Sequence, residues 1–251
     1  MSHIGILEKE NGNRKIIIYN QGHDNNPYNH SYFIELKNYY KGKGYDVFSL
    51  SMTNLGYNLN VSNKKDKINF PGLKNPIVHL SHNDYKYYHD PNFPNIKGLS
   101  LMLSGNYYLI KEIIKNYDEV VMVGISGGGW YTTILPSIIT EIKNSYSFSG
   151  SFPFLLRTFG SFGDWEQWES EIYNEYNYLD FYFLNITDKD GNFTRYHNQI
   201  YIRNDDTFND PGANLFKKIK NRTLTSKNFQ INLLNSDKHE IDVELLKKIL
   251  K

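Results

Sequence analysis

Gly124-Ile125-Ser126-Gly127-Gly128 stands between an apolar run, Glu119 to Val123, and a segment of helical character from about Gly128 to Lys143. A serine on so tight a strand-to-helix turn has its hydroxyl pushed clear of the sheet. The turn leaves no room for Cβ atoms two residues before or two after it, hence glycine at both places. The N-terminus of the following helix brings N–H donors that can hold a developing oxyanion. In a chain with 18 glycines the bare pattern arises easily by chance, so its strand-turn-helix placement carries the weight. A phosphate-cradling turn is the competing reading. The G-x-G-x-x-G and G-x-x-x-x-G-K-[ST] fingerprints are absent, however, and Glu141, the acid placed to hold a ribose, falls inside the expected helix.

A serine nucleophile needs a base, and the base needs an orienting acid. After an elbow of this kind they follow in the order Ser, Asp or Glu, His, each just past a strand end. His239 follows the apolar run Phe229 to Leu234 and precedes a terminal amphipathic helix. His197 precedes the strand expected at Gln199 and sits at its wrong end. For the acid, Arg203-Asn204-Asp205-Asp206-Thr207-Phe208 offers two neighbouring carboxylates after the penultimate strand. Asp206, followed by Thr207 and apolar Phe208, is the preferred candidate; Asp205, which could cap the turn, and Asp188 are alternatives. A second oxyanion donor is expected from the backbone of Gly22 or His23, in the loop after the first long strand, beside the N–H of Gly127.

The elements that must position these groups alternate between short β-branched or aromatic runs and longer segments of helical period, the pattern of a mostly parallel sheet with helices on both faces. Arg14 to Tyr19, Tyr45 to Leu50, Glu119 to Val123, Tyr146 to Ser149, Leu179 to Ile186, Gln199 to Arg203 and Phe229 to Leu234 read as strands. Helices are expected over Ser31 to Lys41, Leu99 to Asn116, about Gly128 to Lys143, Ala213 to Lys220 and Ile241 to Leu250. Residues 51 to 96 are loop-rich around the short run Pro76 to Leu80, and residues 150 to 178, rich in Trp, Phe and acids, read as an insertion or lid. No linker or repeat divides the chain, so a single domain over residues 1–251 is expected.

Taken together, these residues resemble the α/β-hydrolase superfamily from about Arg14 to Lys251, with Gly124-Ile125-Ser126-Gly127-Gly128 as the strongest signature. The resemblance implies a serine hydrolase, esterase-like and cofactor-independent, with Ser126 as nucleophile, His239 as base and Asp206 as acid, acting on a small-molecule acyl substrate. Acyl transfer or thioester cleavage would use the same triad. Gln21 replaces the histidine common in the oxyanion loop of such enzymes, and a non-catalytic binding protein on the same fold is the rival from another class.

Composition narrows the field further. A net charge of +1 excludes a module that binds nucleic acid or membrane by bulk basic charge. The absence of cysteine excludes disulfides, thiolate nucleophiles and Cys-ligated metals. No apolar run approaches the ~18 residues of a membrane span, and Met1 to Lys9 shows no secretory pattern, so a cytoplasmic location is expected. His79-x-x-His82 with Asp84, His89 and Asp90 matches no ligand spacing, and no metal is expected. The stretch Asp164 to Glu171 reads either as a lid over Ser126 or as a solvated helix with both tryptophans on its inner face.

Overall fold

The computed structural model describes residues 3–10, 12–23, 26–58, 72, 74, 81–159, 162–205, 208, 210–224 and 226–249. Seven strands form one sheet: β1 (Gly5–Glu8), β2 (Lys15–Asn20), β3 (Asp46–Leu50), β4 (Glu119–Ile125), β5 (Asn144–Phe148), β6 (Tyr196–Ile202) and β7 (Phe229–Leu234). Their order is β1-β3-β2-β4-β5-β6-β7. Every pairing is parallel except β1 with β3, where Gly5 to Glu8 run antiparallel to Val47 to Leu50 along the edge.

The two faces of the sheet follow from side-chain alternation. Ile16, Ile18, Val120 and Met122 point to one face, where Leu99 and Met102 of α2 (Gly98–Ile113), Trp130 and Leu135 of α3 (Gly127–Ile138) and Phe216 of α6 (Asp210–Thr223) cover them. Ile17, Tyr19, Val121 and Val123 point to the other face. Phe33, Leu36 and Tyr40 of α1 (Ser31–Lys41) and Val243 and Leu246 of α7 (Val243–Ile249) close over it. Strands buried on both faces need continuous apolar runs, which is why Ile16-Ile17-Ile18 and Val120 to Val123 stand out in the sequence. No helix among the described residues is long and apolar enough to cross a membrane.

Most expected elements appear with shifted ends. The helix after Ser126 is shorter than its apolar pattern suggested, ending at Ile138. The strand expected at Gln199 begins three residues earlier and takes in His197. The largest departure is at Leu179 to Ile186, which is helical: α5 spans Tyr178–Leu184, after the single turn α4 (Ser170–Tyr173). A capping box explains it. The Asn177 side chain accepts the Leu179 N–H at 2.8 Å, and Asp180 accepts the Asn177 N–H at 2.8 Å. The buried residues Tyr178, Phe181 and Tyr182 then recur at helical spacing. Strand β1 has no counterpart in the sequence reading. The run Pro76 to Leu80 lies outside the described residues.

Arg195, at the start of β6, ties three of these pieces together from inside the protein. It is 1% exposed, and among the described residues its guanidinium donates to backbone carbonyls: Nε to Ile142 at 2.9 Å, Nη1 to Leu184 at 3.0 Å and Thr187 at 3.1 Å, Nη2 to Pro136 and to Ile139 at 3.3 Å. Pro136, Ile139 and Leu184 stand at the C-terminal ends of α3 and α5, where carbonyls lack helical partners and the helix dipole is negative, and Ile142 and Thr187 lie in the segments just beyond. Burial pushes the guanidinium down to about 10, still charged at neutral pH. Replacing it with methionine would bury several orphaned carbonyls. Arg195→Met is expected to lose roughly 3 kcal/mol or more of stability, read from the urea midpoint at unchanged slope.

Candidate active site

Ser126 is the hinge between β4 and α3. Its backbone takes φ 57° and ψ −128°, a conformation costing about 1–3 kcal/mol in a non-glycine residue. It is held there from both sides: its N–H donates to Phe148 O of β5 at 2.9 Å, and its carbonyl accepts the Trp130 N–H of α3 at 2.9 Å. The flanking glycines are imposed by close backbone approach. A Cβ on Gly124 would stand 2.2 Å from Gly128 O, and one on Gly128 would stand 2.1 Å from Asn20 O of β2. The half-buried Ser126 lines a pocket of about 200 Å³ together with Gln21, Gly22, His23, Tyr32, Ile125 and His239.

His239 reaches that pocket from the loop between β7 and α7. Its Nδ1 lies 2.9 Å from Asp205 Oδ2. The Asp205 side chain is 4% exposed, and its other oxygen accepts the Phe208 N–H at 3.1 Å. A carboxylate only accepts, so Nδ1 of a neutral His239 is the protonated nitrogen and Nε2 carries the lone pair. The carboxylate at His239 is therefore that of Asp205, one residue before the acid preferred from sequence; Asp206 lies outside the described residues. Asp188 is occupied elsewhere. It follows helix α5 instead of a strand, and its carboxylate accepts the N–H groups of Asp190 and Asn192 in its own exposed loop. His197 lies inside β6 with no exposure, its Nδ1 2.6 Å from Ser145 Oγ and its Nε2 accepting from Gln199 at 2.8 Å. Burial, and secondarily the charge of Arg195, pushes it down to about 3, so it stays neutral and cannot cycle a proton near pH 7.

The loop after β2 touches the elbow directly, since a Cβ on Gly22 would fall 2.8 Å from Ser126 Cβ and 2.8 Å from Ile125 O. The same Cβ would lie 3.3 Å from the backbone nitrogen of Gly127, so this loop packs against the N-terminus of α3. The Gln21 side chain is buried; its Oε1 accepts from the Tyr19 hydroxyl and its Nε2 donates to Tyr32 Oη at 3.4 Å. The residue standing where a histidine is common thus braces the loop.

A second polar cluster abuts this one. The His23 ring packs on Gly127, and its Nε2 lies 3.1 Å from Glu166 Oε1 and 3.3 Å from Asp164 Oδ2. His82 Nε2 lies 3.3 Å from Glu166 Oε2. Burial alone would push the Glu166 carboxyl up, but the imidazoles of His23 and His82 outweigh it and hold the group at about 2. Sequence reading missed the pairing of His82 with Glu166. Of the two forms expected for residues 164 to 169, the solvated helix does not form: Trp165–Gln167 is a 3-10 turn with Trp165 and Glu166 buried, while Trp168 is half exposed.

No family model matches the chain, and no curated protein matches it. Solved structures do. Est1E from Butyrivibrio proteoclasticus superposes with a TM-score of 0.58 at 14% identity, over 97% of this chain and 89% of that one. The chain has the α/β-hydrolase fold. Acetyl xylan esterase 1 from Thermoanaerobacterium sp. JW/SL YS485 gives a TM-score of 0.59 at 13% identity, covering 97% of this chain and 77% of its own. The Pyrococcus furiosus esterase Pf2001 gives 0.55 at 12% identity, covering 98% and 88%. In the α/β-hydrolase fold of this chain, the C-terminal ends of β2, β4, β6 and β7 are followed by Gly22 and His23, by Ser126 and Gly127, by Asp205 and by His239 respectively.

The backbone contacts at the elbow set a direct test. Gly128→Ala would force α3 away from β2 by the overlap at Asn20 O, and is expected to lose about 3 kcal/mol in urea unfolding or fail to fold. The same change at exposed Gly12, where a Cβ would meet nothing within 4 Å, is expected to cost far less despite its φ of 87°.

Proposed function

We propose that the protein is a serine hydrolase of carboxylic esters, with Ser126 as nucleophile, His239 as general base and Asp205 as the acid that orients the imidazole. The observation that carries this reading is the 2.9 Å bond between Asp205 and His239, with His239 lining the same pocket as a serine in elbow conformation. The esterases among the structural neighbours support the choice of ester bonds.

In the proposed reaction Ser126 Oγ attacks the ester carbonyl carbon while His239 Nε2 takes the hydroxyl proton. The carbonyl π pair moves onto oxygen, and the oxyanion is met by N–H groups of Gly127 and of the Gly22-His23 loop. Collapse breaks the bond to the alkoxy group, which leaves with the proton from His239 and yields an acyl-enzyme. Water, deprotonated by the same imidazole, repeats the sequence and releases the acid. Asp205 stays ionised throughout and keeps Nδ1 protonated, so that Nε2 faces the serine. A pocket of about 200 Å³ suits a short acyl group better than a lipid chain.

Fluorophosphonate labelling of the wild type is expected, with loss of label in Ser126→Ala and in His239→Ala. Turnover of p-nitrophenyl acetate and butyrate is expected to exceed that of the octanoate. Asp205→Asn is expected to lower kcat by about 10⁴ through the wrong imidazole tautomer, while Asp206→Asn stays close to wild type. A folded wild type that neither labels nor turns over these esters would overturn the proposal; a loss confined to Asp206→Asn would move the acid back to that residue.

A further inference from the structure

Three segments far apart in sequence bring their polar ends to one point beside the elbow. His23 comes from the loop after β2, His82 from the 3-10 turn His82–Tyr87, and Glu166 from the turn Trp165–Gln167. The donor atoms of the three residues all lie within 4.8 Å of one another. The two imidazole rings meet nearly edge to face, with centroids 4.9 Å apart and planes at 88°. Glu166 has no exposure and His82 only 5%. A buried carboxylate requires a cation or full hydrogen bonding. The polar atom nearest Glu166 Oε1 is His23 Nε2 at 3.1 Å, poorly aligned for a hydrogen bond.

The tautomer of His82 sharpens the point. Its Nδ1 lies 3.3 Å from the carbonyl oxygen of Thr53, which can only accept, so Nδ1 carries the hydrogen. In the neutral ring Nε2 then presents a lone pair to Glu166 Oε2 at 3.3 Å, so the contact calls for positive charge, either a proton on Nε2 or a cation held between the two groups. An imidazole whose one nitrogen donates to a backbone carbonyl while the other faces a carboxylate is oriented as a metal-bound histidine is. The imidazole-to-carboxylate separations of 3.1 and 3.3 Å match the roughly 3.3 Å between donors in a tetrahedron with metal bonds of about 2.0 Å.

We propose that Nε2 of His23, Nε2 of His82 and the carboxylate of Glu166 form a binding site for a divalent transition metal of the zinc type. Asp164, whose Oδ2 stands 3.3 Å from His23 Nε2, is placed to supply a fourth donor from the solvent side. With it the site carries two negative charges and two neutral imidazoles, the balance a divalent ion neutralises. The site is structural in character: it joins the oxyanion loop, the segment after β3 and the 150–178 segment, and it lies outside the proposed proton path between Ser126 and His239. This inference is independent of the esterase reading, because its test measures ion uptake and not turnover.

Full-length protein, stripped with chelator and dialysed, is titrated with Zn²⁺ by calorimetry and with Co²⁺ by visible absorption. One Zn²⁺ per chain is expected, together with the intense d–d bands of four-coordinate Co²⁺ displaced by Zn²⁺. Glu166→Gln and His82→Gln are each expected to weaken uptake by at least about 100-fold, and Asp164→Asn by less, with circular dichroism reporting that each variant is folded. No stoichiometric uptake by the wild type overturns the proposal without recourse to any variant. So does uptake that persists unchanged in folded Glu166→Gln or His82→Gln; His82 would then be an imidazolium paired with Glu166.

Discussion

Three backbone segments meet at the centre of this protein with no side chain between them. The carbonyl of Asn20 at the end of β2, the peptide at Gly124 in β4 and the first turn of α3 at Gly128 approach so closely that a single methyl group at either glycine would overlap an oxygen. That contact obliges the chain to turn sharply at Ser126, and the positive φ there follows from it. It also sets how near the loop after β2 comes to the serine, since Gly22 lies against the same turn. The remaining polar groups of the site are delivered to a point that this packing has already defined.

Legibility in the sequence tracked how local each constraint was. The elbow could be read because its glycines are four residues apart and answer to a steric demand within one turn. Helix α1 could be read because Gly42 and Gly44 stop it cleanly. Helix α5 was misread because Tyr and Phe favour strands on average, and the signal that decides the matter is the short pair Asn177 and Asp180. Strand β1 is only four residues at the sheet edge and owes its existence to pairing with β3, which no pattern inside Gly5 to Glu8 announces. Choosing between Asp205 and Asp206 depends on which way two adjacent side chains point in an irregular turn after β6, and periodicity says nothing there. The proximity of His23, His82 and Glu166 is wholly a product of the fold; motif spacing along the chain could only dismiss the histidines near residue 82 as matching no ligand pattern.

Two buried charges show contrasting solutions to the same solvation problem. Among the described residues Arg195 forms no salt bridge and donates to five carbonyl oxygens at and just beyond helix ends, so its charge is spread over peptide dipoles. Glu166 is surrounded by imidazoles, whose own protonation or occupancy is adjustable. The first arrangement is fixed once the helices form. The second joins segments that have little regular structure of their own, and its strength depends on what solution supplies.

Helix α3 links these two regimes. It starts at the serine and runs twelve residues, about 18 Å, before its last carbonyls are gathered by Arg195 beside the N-terminal end of β6. The end at the proposed nucleophile is strained, and the end that anchors it is saturated with hydrogen bonds. The two ends of one rod are thus fixed by different means, close backbone packing beside the serine and charge-assisted hydrogen bonds at the far carbonyls. Pocket side chains that take part in neither contact can change without loosening either end of the helix, which leaves the shape of the proposed site free to drift while the scaffold stays intact.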